Sequence, residues 1–238
     1  MTTTFDFNDG NGLVPAHKHP NGGGLVADTT TVADTAYVGP DARAYGNARV
    51  YDNAMVYGDA RVYDNAKILN NARVYGKARV YGKAMVYGDA RVYGNARVYG
   101  NARVYDNTWV YGKAIVHDSA WVYGNARVYD NTWVYGKAIV HDSAWVYGNA
   151  RVYDNARVLV DARVFGNAMV FGDARVYDNA RVYDNARVFG NDWVFGSARV
   201  CDDIYNRPSD RTEKSDTNED IFIEMNGKKY KLVEVEKS

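Results

Sequence analysis

Apolar positions along the chain fall on a strict beat of six. Val50, Val56, Val62, Ile68, Val74 and Val80 open a series that runs to Val200, and backwards the same phase reaches Ala44, Val38, Val32 and Val26. From Val26 to Val200 this makes 30 hexapeptides without an insertion or a deletion, the mark of a fold built from stacked repeats. Val50-Tyr51-Asp52-Asn53-Ala54-Met55 serves as the unit. Its first place is aliphatic, its second aromatic, its third Gly or Asp, its fourth Asn, Lys, Asp or Ser, its fifth Ala and its sixth usually Arg. Residues of the third and fourth places tolerate the left-handed backbone of a tight turn. Ala-Arg-Val-Tyr therefore predicts a short strand, and Gly-Asn or Asp-Asn a corner. Strand alternation puts Ala and Val on one face, Arg and Tyr on the other. Only the Ala/Val face can be interior, since stacked arginines could not be solvated there. So short a strand must pair with its equivalent one coil above.

The beat, the aliphatic place and the small fifth place resemble the hexapeptide-repeat family over about residues 25–202. The resemblance implies an all-β fold: a single-stranded, left-handed parallel β-helix with three hexapeptides per triangular coil, hence about ten coils. At ~4.8 Å between strands, ten coils would rise roughly 48 Å. The sequence departs from the family at the second place, where Tyr or Phe stands instead of a small or acidic residue. The fold tolerates this if the rings point outward. Opening residues HKHPNGGGLVADTTTVADTAYVGP are also similar to the start of phage and prophage repeat proteins, and NGKKYKLVEV to short hairpins on phage products.

The flanks divide the chain further. Residues 1–24 are polar and Gly-rich, and Phe5, Phe7, Leu13 and Val14 are available to cover the first coil, because an uncapped solenoid end exposes strand edges and core. Residues 203–219 read as a solvated linker. In residues 220–238 the stretches Ile221 to Met225 and Lys228 to Val235 flank Asn226-Gly227, a hairpin signal. Pairing would gather Ile221, Ile223, Met225, Tyr230 and Leu232 on one face. A lone hairpin is marginal in water, so that face is expected either to cap the solenoid or to join another chain.

Lys+Arg 29 balance Asp+Glu 29, which argues against binding to polyanions by bulk charge. No apolar run of ~18 residues predicts a membrane span, and MTTTFDFNDG has no signal-peptide pattern. A bacterial cytoplasmic or virion-associated location is the expectation. The single cysteine, Cys201, excludes a disulfide framework or a Cys-based metal cage.

The sixth place turns apolar at Trp109, Ile115, Trp121, Trp133, Ile139 and Trp145, with Arg127 intervening. Folding at 18 distributes these over three faces as an outward apolar belt. Exposed apolar area of that extent marks a contact with another molecule, and Trp is a favoured contact anchor. Residues 102–125 recur identically as 126–149, an offset of one and a third coils, which puts the copies His117 and His141 on different faces. A catalytic site would not survive that rotation. His17 and His19 could hold a metal, but no further ligand lies nearby in sequence, so a solvated turn is expected. Asp192 takes a fifth place, where it is expected to turn toward the C-terminal cap.

Known enzymes of the resembling family are mostly CoA-dependent acyltransferases, whose site uses a His and a loop bulging from the helix. No such loop interrupts these repeats. The sequence thus points to a non-catalytic solenoid, without cofactor or metal, that binds a protein partner or itself through an outward Tyr/Arg/Trp surface. The alternatives are an acyltransferase, and a nucleic-acid or glycan binder using aromatic and arginine rows.

Overall fold

A computed structural model describes residues 3–201, 221–225 and 228–232. The linker 203–219 and the turn Asn226-Gly227 lie outside the described residues. Regular structure among these is strand alone: β1 (Thr3–Asp6), β2 (Leu13–Lys18), β3 (Leu25–Ala27), then two-residue strands every six positions from β4 (Thr31–Val32) to β32 (Arg199–Val200), and finally β33 (Ile221–Met225) and β34 (Lys228–Leu232). No helix is long and apolar enough to cross a membrane among them. The chain forms two units, residues 1–119 and 120–238, and each is a solenoid of parallel strands.

In the first unit the strands from β3 to Arg97–Val98 each pair in parallel with the strand 18 residues on. One row runs Arg43, Arg61, Arg79, Arg97, Ile115. The neighbouring rows run Arg49, Lys67, Met85, Arg103 and Met55, Arg73, Arg91, Trp109. From Ala36 and Val38 onward the fifth-place alanines and first-place valines of this unit are fully buried, as is Ile68, while Val32 in the opening coil is half-buried. Burial of Val and Ala supplies the apolar core, and strand alternation sends the sixth-place residues to the other face.

Corners require the left-handed backbone, and the third place supplies residues that accept it. Asp52, Asp64 and Asn70 stand at φ of 59°, 58° and 59°. Their side chains do a second job. Asp52 Oδ2 accepts from the Asn70 amide at 2.9 Å, and Asn70 Oδ1 from the Gly88 amide at 3.3 Å. At Gly46 an added Cβ would come within 2.8 Å of the Asp64 nitrogen, so the coils stack too closely for most side chains at that corner.

The start of this unit is capped. β1 pairs antiparallel with β2, and β2 with β3. Phe7 is buried and its ring stacks on Tyr45 at 4.7 Å. Phe5 meets Phe7 edge-on, and Val14 lines the same cluster. Leu13 corrects the expectation that it covers the first coil. It is 71% exposed, because its cross-strand partner is Asp6 at the hairpin's outer end.

The second unit repeats the plan. Its rows run Trp121, Ile139, Arg157, Arg175, Trp193; Trp133, Arg151, Met169, Arg187; and Arg127, Trp145, Arg163, Arg181, Arg199. Fourth-place asparagines form a ladder: the Asn131 amide donates to Asn149 at 3.1 Å, Asn149 to Asn167 at 3.1 Å and Asn167 to Asn185 at 3.0 Å. One corner breaks the rule, with Val160 at φ 59°. After the last repeats, β33 pairs antiparallel with β31 (Trp193–Val194), opposing Glu224 to Trp193 and Ile223 to Val194. Within the hairpin Ile221 opposes Leu232, Ile223 opposes Tyr230 and Met225 opposes Lys228.

Candidate contact surface

The second-place rings lie outside the valine and alanine core, Tyr45 being covered by Phe7 of the cap, and in several columns they lie flat on the ring 18 residues on. In the first unit Tyr45, Tyr63, Tyr81, Tyr99 and His117 form one column with centroids 4.7–4.9 Å apart. Tyr57, Tyr75, Tyr93 and Tyr111 form another. In the second unit Tyr129, Tyr147, Phe165 and Tyr183 stack likewise. Strand spacing thus sets the ring spacing, and the offset stack is the favoured arrangement. Desolvation within the columns raises the Tyr45 hydroxyl pKa and pushes Tyr63 up to about 12, the Tyr45 and Tyr81 neighbours adding to the latter.

Against these columns the indoles of the sixth place take two environments. In the second unit Trp145 lies between two guanidinium groups, Arg127 at 4.8 Å and Arg163 at 5.3 Å from its ring, with Tyr129 edge-on. Arg175 covers Trp193 at 4.8 Å, and in the first unit Arg91 covers Trp109 at 5.0 Å. Such cation–π contacts shield an indole face. Trp121 and Trp133 differ. They are 38% and 41% exposed, Trp133 having Arg151 at 5.9 Å. Trp121 stands directly beside Ile139 in its row. In this unit the apolar sixth-place residues therefore occupy all three rows, with the largest open area on two. In the first unit Ile115 and Trp109 are half-buried on two rows.

The sequence reading missed the arginines that lie over Trp145, Trp193 and Trp109. It also passed over Trp193, although its sixth place was visible in the repeat.

The four histidines fall in three settings. His117 and His141 take ring positions in the columns, on Tyr99 at 4.8 Å and Tyr123 at 4.7 Å. Each also faces the acid that follows it, His117 Nδ1 to Asp118 at 3.2 Å and His141 Nδ1 to Asp142 at 2.7 Å. They extend strands of different rows, Ile115–Val116 and Ile139–Val140. His17 pairs with Asp28 at 2.7 Å. His19 corrects the expectation of a solvated turn: it is 3% exposed, with Nδ1 3.2 Å from the Asn21 carbonyl. The described residues contain no cluster of metal-ligating side chains.

The two fifth-place threonines are buried, and their hydroxyls donate to carbonyls of their own corners, Thr108 to Tyr105 at 2.7 Å and Thr132 to Tyr129 at 2.5 Å. Asp192 turns the same way. Its buried carboxylate accepts from the Phe189 amide of its own corner at 3.5 Å.

A family model described as the YdcK beta solenoid repeat matches residues 42–58, 48–64, 78–94, 84–100, 96–112, 120–136, 144–159, 162–178, 174–188 and 180–196. No curated protein matches the chain. The matched stretches take in more than half of the 238 residues and fall wholly within the stacked repeats. With its parallel strands at 18-residue intervals, the chain belongs to the YdcK β-solenoid repeat family.

Proposed function

We propose that this solenoid is a non-catalytic assembly protein, and that its partner is a second copy of the chain, bound through the outward face of the second unit. The reading rests on one observation: Trp121 and Trp133 are over a third exposed on the outward face of the second unit. Each indole desolvated by a second copy becomes an anchor for the contact.

Acrylamide quenching of tryptophan emission tests this reading. Quenching is expected to fall as protein concentration rises, and to lose that dependence in Trp121→Phe/Trp133→Phe. Quenching that is independent of concentration in the unaltered protein would count against it.

A further inference from the structure

A basin of about 230 Å³ opens in the first unit, where the loop between β1 and β2 meets the early coils. Asn8, Asp9 and Asn11 wall it from the loop, Arg61, Asp64 and Arg79 from the coils, and Tyr45 and Tyr63 complete the lining. Its volume is that of roughly eight waters, room for one six-membered ring and its substituents.

Several of these groups are fixed before a ligand arrives. Asp9 Oδ1 accepts from the Asn11 amide at 3.0 Å, and Oδ2 from the Asn11 side chain at 3.1 Å. Asn8 takes the left-handed conformation at φ 57°, its backbone amide donating to Asp6 at 2.8 Å. Asp64 Oδ2 is tied to the Gly82 amide at 3.1 Å. The Arg61 guanidinium donates to the Tyr45 hydroxyl, and the charges of Asp9 and Arg79 act on that same hydroxyl, so the groups converge.

Two carboxylates and two guanidinium groups balance around the basin. A lone anion or cation therefore gains one pair and meets the other as like charge. An apolar ligand finds no free ring face, because Tyr45 lies between Phe7 and Tyr63, and Tyr63 between Tyr45 and Tyr81. A hydroxyl both donates and accepts, so it serves a carboxylate on one side and a guanidinium or amide on the other. Each Asp9 oxygen carries a second lone pair beyond its bond from Asn11, which matches two neighbouring hydroxyls on one ring.

The geometry points to this basin as a binding site for one neutral sugar unit carrying adjacent hydroxyls. Asp9 and Asp64 accept from those hydroxyls, and Arg79 and the side-chain amides of Asn8 and Asn11 donate to them. The site belongs to the first unit and is independent of Trp121 and Trp133 in the second.

Ligand-observed saturation-transfer NMR on the whole protein tests the assignment, with methyl glucoside, methyl galactoside and methyl mannoside as probes. At least one is expected to bind with a Kd of about 1 mM, unchanged by added salt because the ligand carries no charge. Arg79→Gln and Asp9→Asn should each weaken it roughly fivefold or more. Arg49→Gln and Trp121→Phe/Trp133→Phe should leave it unchanged, all variants keeping the circular dichroism of the original protein. Asparagine preserves the turn at Asp9, so a loss there reads the missing oxygen. A disaccharide ending in the preferred sugar that binds equally well would identify a glycan end as the source, and one that does not bind would identify the free sugar. Absence of saturable binding by all three probes, loss of binding in high salt, or equal loss in Arg49→Gln would overturn the assignment. So would tighter binding of phosphate, putrescine or glycine betaine.

Discussion

The Asp64 carboxylate accepts a hydrogen bond from the Gly82 backbone amide, 3.1 Å away and 18 residues on. The same residue holds the left-handed corner at φ 58° and receives the Asn47 amide on its own carbonyl at 2.7 Å. One aspartate thus both turns the chain and ties two coils. Asp130 to Gly148, Asp154 to Gly172 and Asp178 to Gly196 repeat the bond in the second unit, at 3.2–3.3 Å.

Substitution at Asp64 separates the two jobs. Asp64→Asn keeps an acceptor and tolerates the corner, so its thermal unfolding should match that of the unaltered protein. Asp64→Gly loses only the bond. Asp64→Ala loses the bond and adds backbone strain, costing roughly 1–3 kcal/mol. Circular dichroism melts should rank Asn above Gly above Ala; an Ala variant as stable as the original would refute the double role.

Val160 is the converse case. It is a β-branched residue at φ 59°, 38% exposed, at a corner where every other repeat with a left-handed third place has Gly, Asp or Asn. The conformation costs such a residue about 1–2 kcal/mol. Val160→Gly should therefore raise the melting temperature, by an amount corresponding to about 1 kcal/mol after the extra entropy of glycine is counted. A lower melting temperature would show that Val160 makes contacts worth more than its strain.

Tyr63 gives a pH signature. Its hydroxyl ionises at about 12 in the folded chain, raised from 10.0, with desolvation as the main cause. Below 10 the group is neutral in both states and its contribution to stability is fully present. Between 10 and 12 the unfolded chain ionises and the folded one does not, so stability falls as pH rises, and above 12 the contribution is gone. A phenolate absorbance titration should show a late component that disappears in Tyr63→Phe. A titration unchanged by that substitution would contradict the burial of this ring.

Much of the fold was legible because the repeat states it so often. The valine and alanine places, the glycine and aspartate corners and the outward tyrosines all follow from a period of six and from strand alternation. Other features depend on what lies 18 residues away. The arginine clamps over Trp145 arise only when Arg127 and Arg163 are brought above and below it, and the six-residue unit carries no trace of that. Hence the apolar belt read as uniform, although Trp121 and Trp133 are open where Trp145 is covered. The N-terminal cap was legible only in part. Phe7 could be seen as apolar, but its stacking on Tyr45, and the outward placement of Leu13, depend on the antiparallel register of β1 and β2. His19 looked solvated from its polar neighbours and is instead buried in the turn that follows β2.

The mass of the protein in solution is the most direct test of assembly through the second unit. Light scattering over a range of concentrations should give a mass above the 26.6 kDa of one chain, and Trp121→Ser/Trp133→Ser should return it to one chain with the β-rich circular dichroism unchanged. A mass of one chain at every concentration, or an oligomer indifferent to both substitutions, would contradict the account.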